Sequence, residues 1–137
     1  MPLLVDSSVF VAAARLRETH HRSAADALLA HSGEGLATPA TILAETMSFI
    51  LARFGIEQQR RFWDGFEHSG IEVVPVGSEL LALARDIDRR YADANFGFAD
   101  CTLLAACEQL GTASVLSLDQ RLRVYRPSFA PALELLP

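Results

Sequence analysis

Four carboxylates stand in stretches that otherwise read as protein interior. Asp6 ends the run Leu3-Leu4-Val5, and Asp119 closes Val115-Leu116-Ser117-Leu118. Glu45 lies between Ile42-Leu43-Ala44 and the apolar Met47, Phe49 and Ile50, and Asp100 opens Leu103-Leu104-Ala105-Ala106. Burying an ionised carboxylate without a partner is very costly. A chain built this way has two solutions: it bonds each acid locally, or it gathers several around a divalent cation. The second solution requires distant segments to meet at one place, which restricts the fold.

The apolar runs are short. They predict strands at Leu3–Asp6, Leu36–Thr38, Ile71–Val76 and Val115–Leu118, with a further one near Leu133–Leu136. Helices are predicted over Val9–Arg17 and Ser23–Ala30, followed by a break at Gly33-Glu34-Gly35. A third helix starts after Pro39, a residue suited to a first turn, and stops by Gly55. Its face carries Ile42, Glu45, Thr46 and Phe49. Glu57–His68 is a fourth helix with Phe62, Trp63 and Phe66 as a core stripe, and Glu79–Tyr91 a fifth with Leu80, Leu83, Ala84 and Ile87. Ala99–Leu110 is a sixth, ended by Gly111.

Short apolar strands separated by helices indicate an α/β fold, with a mostly parallel central sheet of four to five strands flanked by helices. The length of 137 residues, without a repeat or linker, fits one domain over residues 1–137. In such sheets ligands gather beyond the C-terminal strand ends, where the strand order reverses. If the first and fourth strands are neighbours, Asp6 and Asp119 meet there. The helix Glu79–Tyr91 runs away from that edge for about 20 Å. The connection Tyr91–Gly97, if extended, returns about 20 Å. Asp100 then sits in the first turn of a helix that begins at the same edge.

Composition removes several alternatives. All 12 basic residues are arginine, so a P-loop lysine and Schiff-base chemistry are absent. The net charge of −5 argues against a simple basic glove for nucleic acid. Arginines do cluster, at Arg15, Arg17 and Arg22, at Arg85, Arg89 and Arg90, and at Arg121, Arg123 and Arg126. Solvated helix faces are the simpler account of each cluster, although arginine also forks two hydrogen bonds to a phosphate. No stretch approaches the ~20 apolar residues of a membrane span. No basic leader precedes Asp6, so a cytoplasmic location without membrane association is expected. Cys101 and Cys107 fall on different faces of one helix, where they cannot bridge each other. The four histidines make no metal set, and CxxC, HExxH, G-x-S-x-G and Gly-rich dinucleotide patterns are all missing.

Each acid also has a local explanation. Asp100 suits a helix N-terminus and Asp119 a turn or helix cap. Glu45, in mid-helix, has no capping role, and its alternative is an ion pair with arginine. Asp93, in the connection before Asp100, reads as a loop or capping acid or as a fifth member of the site. An all-oxygen carboxylate set favours a hard cation, Mg2+ or Mn2+. Such ions bind phosphate oxygens and activate water, which suits phosphodiester hydrolysis.

These residues also resemble a known family. Leu4-Val5-Asp6-Ser7-Ser8-Val9 is similar to the opening of PIN-domain nucleases, as is Thr41-Ile42-Leu43-Ala44-Glu45. Tyr91-Ala92-Asp93, Gly97-Phe98-Ala99-Asp100 and Ser114-Val115-Leu116-Ser117-Leu118-Asp119-Gln120-Arg121 resemble the VapC toxin branch, as does Val124-Tyr125-Arg126-Pro127. The resemblance implies a PIN fold and an Mg2+- or Mn2+-dependent endoribonuclease from a toxin–antitoxin pair. It implies Asp6 and Asp100 as principal metal ligands. Glu45 and Asp119 complete the pocket directly or through water, with Asp93 less certain and Ser117 orienting a carboxylate or water. Ser8 and Cys101 fill variable slots and add nothing. A small antitoxin and a homodimer are implied as partners, and Arg121, Arg123 or Arg15 are the expected contacts to RNA. Two alternatives stand beside it. A haloacid-dehalogenase-type phosphohydrolase would want a second aspartate two residues after Asp6, where Ser8 stands. A catalytically silent PIN-like binding module would bind no metal.

Overall fold

The computed structural model describes residues 2–15, 17 and 19–137. The run Leu3-Leu4-Val5 forms β1 (Leu3–Val5), with all three residues buried. A strand covered on both faces reads as a continuous apolar run rather than an alternation. Four more strands join it: β2 (Leu36–Pro39), β3 (Glu72–Val74), β4 (Ser114–Leu116) and β5 (Glu134–Leu136). Every pairing is parallel, and the order across the sheet is β3-β2-β1-β4-β5. From β1 the chain builds outward through β2 and β3, then crosses to the other side for β4 and β5. The order therefore reverses between β1 and β4, the place where such sheets bind ligands.

Among the described residues six helices flank the sheet: α1 (Ser7–Ala14), α2 (His21–His31), α3 (Ala40–Phe54), α4 (Ile56–Glu67), α5 (Ser78–Arg90) and α6 (Phe98–Leu110). Helix α3 packs against both α1 and α6, and α6 packs along α5. Residues Cys101–Cys107 of α6 are all buried. A helix enclosed on all sides loses its polar face, so Cys101 and Cys107 are both interior although they point different ways. Both are free thiols, and burial pushes Cys107 up to about 12 and Cys101 up to about 11. Thiols so placed are poor nucleophiles at neutral pH. Among the described residues no helix is long and apolar enough to cross a membrane.

Several local expectations need correction. Helix α1 stops at Ala14, not Arg17, because Arg15 turns extended and lays its guanidinium over the Phe54 ring, 3.8 Å from the centroid. Leu16, inside the expected helix, lies outside the described residues. In α4, Phe62 and Phe66 meet Phe10 edge-on at 5.7 and 6.0 Å, but Trp63 is 54% exposed. One residue on from Phe62 is about 100° round the helix, which takes Trp63 off the apolar stripe. In α3 the buried residues are Ile42, Thr46 and Ile50. Glu45 and Phe49 are exposed on the flank of that arc instead of facing the core. The connection after α5 is not extended throughout. Ala92–Ala94 coils into a 3-10 turn and Asn95 adopts φ 58°, a left-handed conformation that asparagine tolerates.

Candidate metal centre at the ends of β1 and β4

The parallel register sets Val5 opposite Leu116, so Asp6 and Ser117 leave their strands side by side. The Asp6 N–H still donates to the Leu116 carbonyl at 2.9 Å. Ser117 Oγ donates to Asp6 Oδ2 at 2.8 Å, and Ser8 Oγ donates to the same oxygen at 2.8 Å. Each hydroxyl also accepts a backbone N–H: Ser8 from Leu118 and Ser117 from Asp119, both at 3.0 Å. One donor and one acceptor role per hydroxyl fix the direction of every bond in this network. Asp6 is only 2% exposed, and its Oδ1 is buried with no hydrogen-bond partner among the described residues.

Ser8 fills a variable slot in the family pattern, yet here it bonds the central acid. An Asp-x-Ser pair at a helix start lets the serine reach back to the carboxylate, and that spacing was the available signal. Ser7 serves a second acid, donating to Glu45 Oε2 at 3.1 Å. A further pair was not anticipated. Thr102 Oγ1 donates to the Ala99 carbonyl at 2.7 Å, so at its 2.6 Å contact with Thr41 it is the acceptor. That bond ties the N-terminal part of α3, the helix that carries Glu45, to the N-terminal part of α6, the helix that carries Asp100.

The local roles foreseen for Asp100 and Asp119 are both present. Asp100 Oδ2 accepts the Gly97 N–H at 3.2 Å, and Asp119 Oδ1 accepts the Arg121 N–H at 3.0 Å, capping the 3-10 turn Gln120–Val124. Capping does not take them out of the cluster, because Arg121 joins them. Its Nη2 lies 2.6 Å from Asp119 Oδ2 and 3.2 Å from Asp100 Oδ2. Its Nε reaches both Asp119 oxygens, at 3.0 and 3.1 Å, and its Nη1 donates to the Asn95 carbonyl at 2.9 Å.

Electrostatics link all four acids. Burial raises the pKa of Asp100 above its ordinary value, aided by the charges of Asp6 and Asp119 and opposed by Gly97 and Arg121. Glu45 is raised in the same way: partial burial leads, Asp100 and Asp6 add to it, and the Ser7 hydrogen bond and Arg121 oppose it. The hydrogen bonds from Arg121 hold Asp119 below its ordinary value. Two of the four carboxylates thus resist the charge they carry at neutral pH, and a cation would relieve both.

The donor set suits a hard divalent ion: oxygens from four acids, one of them a buried carboxylate oxygen without a partner. Among the described residues no three side chains converge as a ready-made cage, and Arg121 holds Asp100 and Asp119 toward itself. Other expected members lie elsewhere. Asp93 is exposed in its 3-10 turn, with no hydrogen bond to these acids among the described residues. Arg123 is exposed and donates to Gln120 Oε1. Arg15 stands at the far end of α1 from Asp6, about 13 Å away by helix rise.

The family model for the PIN domain matches residues 3–126. A comparison with curated protein sequences finds no match. Among solved structures, the chain is similar to the VapC20 toxin of Mycobacterium tuberculosis, described as cleaving the sarcin–ricin loop. The TM-score is 0.78 at 21% identity, over 86% of this chain and 90% of that one. It is similar to VapBC2 of Rickettsia felis, solved with a promoter DNA fragment, with a TM-score of 0.76 at 15% identity over the whole of both chains. FitAcB of Neisseria gonorrhoeae gives 0.68 at 18% identity, over 98% of this chain and 96% of that one. At these identities the structural likeness shows the fold alone.

Proposed function

This chain belongs to the PIN domain family, and from that premise we propose that it is an Mg2+- or Mn2+-dependent endoribonuclease, the toxin of a VapBC-type toxin–antitoxin pair. Residues 1–137 form a single domain in this reading. The observation that carries it is the buried, unbonded Oδ1 of Asp6 among three further acids at the β1–β4 switch point. Asp6 and Asp100 would hold the ion, with Glu45 and Asp119 contributing directly or through water; Asp93 stands outside. When bound, the ion supplies Lewis acidity toward a phosphate oxygen and an attacking water.

The chain's own residues supply the rest. Ser8 and Ser117 fix the Asp6 carboxylate by its Oδ2, leaving Oδ1 as the free donor. Glu45, on the solvent side of the group and raised in pKa by partial burial, is the acid best placed to take a proton from water. A released Arg121 is the cation of the site that can grip RNA phosphates, with exposed Arg123 two residues on along the same turn. RNA as substrate is supported by the described action of VapC20 on the sarcin–ricin loop. A protein partner is supported by the VapBC2 and FitAcB complexes among the similar structures. A groove of about 760 Å3 includes Phe10, Phe54 and Phe62, with Arg15, Arg17 and Arg61 also lining it. That chemistry suits an antitoxin segment carrying apolar residues flanked by acids. A homodimer and a cytoplasmic location complete the reading.

The test is cleavage of an end-labelled RNA pool by the purified chain. Internal cuts with Mg2+ or Mn2+, abolished by chelator and restored by adding the ion back, are expected. No cleavage and no Mn2+ binding by calorimetry would overturn the proposal in favour of a silent module.

A further inference from the structure

We propose that Arg121 is a built-in counter-cation of the acid site, which a divalent ion must displace from Asp100 and Asp119 in order to load. The inference rests on the metal-site reading above and concerns how that site is kept closed. Arg121 is anchored from three segments: Asp119 beside it in its own 3-10 turn, Asp100 in α6, and the Asn95 carbonyl in the connection before α6. Both oxygens of Asp119 and Oδ2 of Asp100 face its N–H groups, at 2.6 to 3.2 Å. Those oxygens belong to two of the four candidate ligands. A guanidinium and a divalent ion sharing them would repel each other at close range. The acids drawn to Arg121 also explain why no three of them close on one point.

The arrangement is suited to reversal. The Arg121 side chain is 52% exposed, so it swings into solvent without disturbing the core. In place, it offsets repulsion among acids that otherwise share a partly buried space. Released, its planar fork meets the phosphates of a bound strand, for which guanidinium is well matched. Metal loading and substrate binding would then pull in the same direction: the ion takes the carboxylates and RNA takes the arginine. A chain with net charge −5 gains from this, because a cation held inside the site becomes available at the substrate.

The experiment is Mn2+ calorimetry on the wild type, Arg121→Gln and Arg121→Lys, with Asp6→Asn as reference. Arg121→Gln is expected to bind Mn2+ roughly tenfold tighter, within the range of coupling between linked sites. Arg121→Lys, which keeps the charge but not the fork, falls between. In chelator Arg121→Gln melts below the wild type, and Mn2+ reverses the order. Mg2+ titration of the wild type should shift the Arg121 Nε–H resonance in step with binding, a readout that needs no variant to fold. If the wild type binds Mn2+ through Asp6 while Arg121→Gln binds no tighter, the counter-cation role is overturned and the metal site stands. A resonance unmoved by saturating Mg2+ overturns it in the same way. If no protein in the set binds Mn2+, both proposals fail.

Discussion

Asp6→Asn is expected to abolish RNA cleavage while the protein remains folded. The substitution spares the hydrogen bonds seen around this side chain. The asparagine oxygen still accepts from Ser8 and Ser117, and its amide takes the place of the unbonded Oδ1. What disappears is the charge, together with the one buried carboxylate oxygen without a partner among the described residues. Loss of an outer-shell partner typically costs 10–100-fold in metal affinity, so loss of a direct ligand should exceed about 100-fold. Stability should move the other way in chelator. A buried amide without a partner costs less than an ionised oxygen without one, and repulsion toward Glu45 and Asp100 is relieved. Mn2+ calorimetry, RNA cleavage and melting curves in chelator check the three parts. Cleavage within about tenfold of wild type would remove Asp6 from the metal site.

Ser117→Ala is the second large effect, and here fold and site fail together. Ser117 is 3% exposed, donates to Asp6 Oδ2 and accepts the Asp119 N–H. Alanine leaves that N–H without a partner and Asp6 with one hydroxyl instead of two. Losing the buried bond to Asp6 together with the part-buried one from Asp119 costs about 1–3 kcal/mol, which lowers the melting temperature by several degrees. Asp6 also becomes free to turn, so metal affinity should drop about 10–100-fold, as for other outer-shell partners. The reference is Ser114→Ala, whose hydroxyl bonds Glu134 on the far side of β4 from the site. It should change neither quantity. A Ser117→Ala protein with wild-type melting and wild-type Mn2+ affinity would show that the network does not position Asp6.

The centre of the sheet was legible because β1 and β4 are apolar on both faces. Leu3-Leu4-Val5 and Val115-Leu116 have no other environment open to them, and their pairing brings Asp6 beside Ser117. Helix limits were less legible. The end of α1 depends on Arg15 stacking over Phe54, a contact between residues 39 apart that no local pattern reports. The spacing puts Glu45 on the apolar face of α3, yet it lies on the flank, with its carboxylate turned to Ser7. That error is one of angle: the inward arc of α3 is set by Ile42, Thr46 and Ile50.

Around the site, acid identity was readable and acid bonding was not. Capping and clustering looked like alternatives for Asp100 and Asp119, but a carboxylate has two oxygens and several lone pairs. Asp119 caps its turn and meets the Arg121 side chain together. Arg121 is an expected RNA contact, and the fold places it between two acids. Its sequence position two residues after Asp119 allowed either outcome. The deciding partner, Asp100, comes from another helix.

The most direct measurement is anomalous diffraction at the manganese edge from crystals grown with Mn2+. The expected map has a peak against Asp6 Oδ1, with Asp100 in the same coordination sphere and the Arg121 guanidinium withdrawn from both acids. A map with no peak at Asp6, from protein that cleaves RNA in the same Mn2+ buffer, would contradict a metal nuclease site built on that residue.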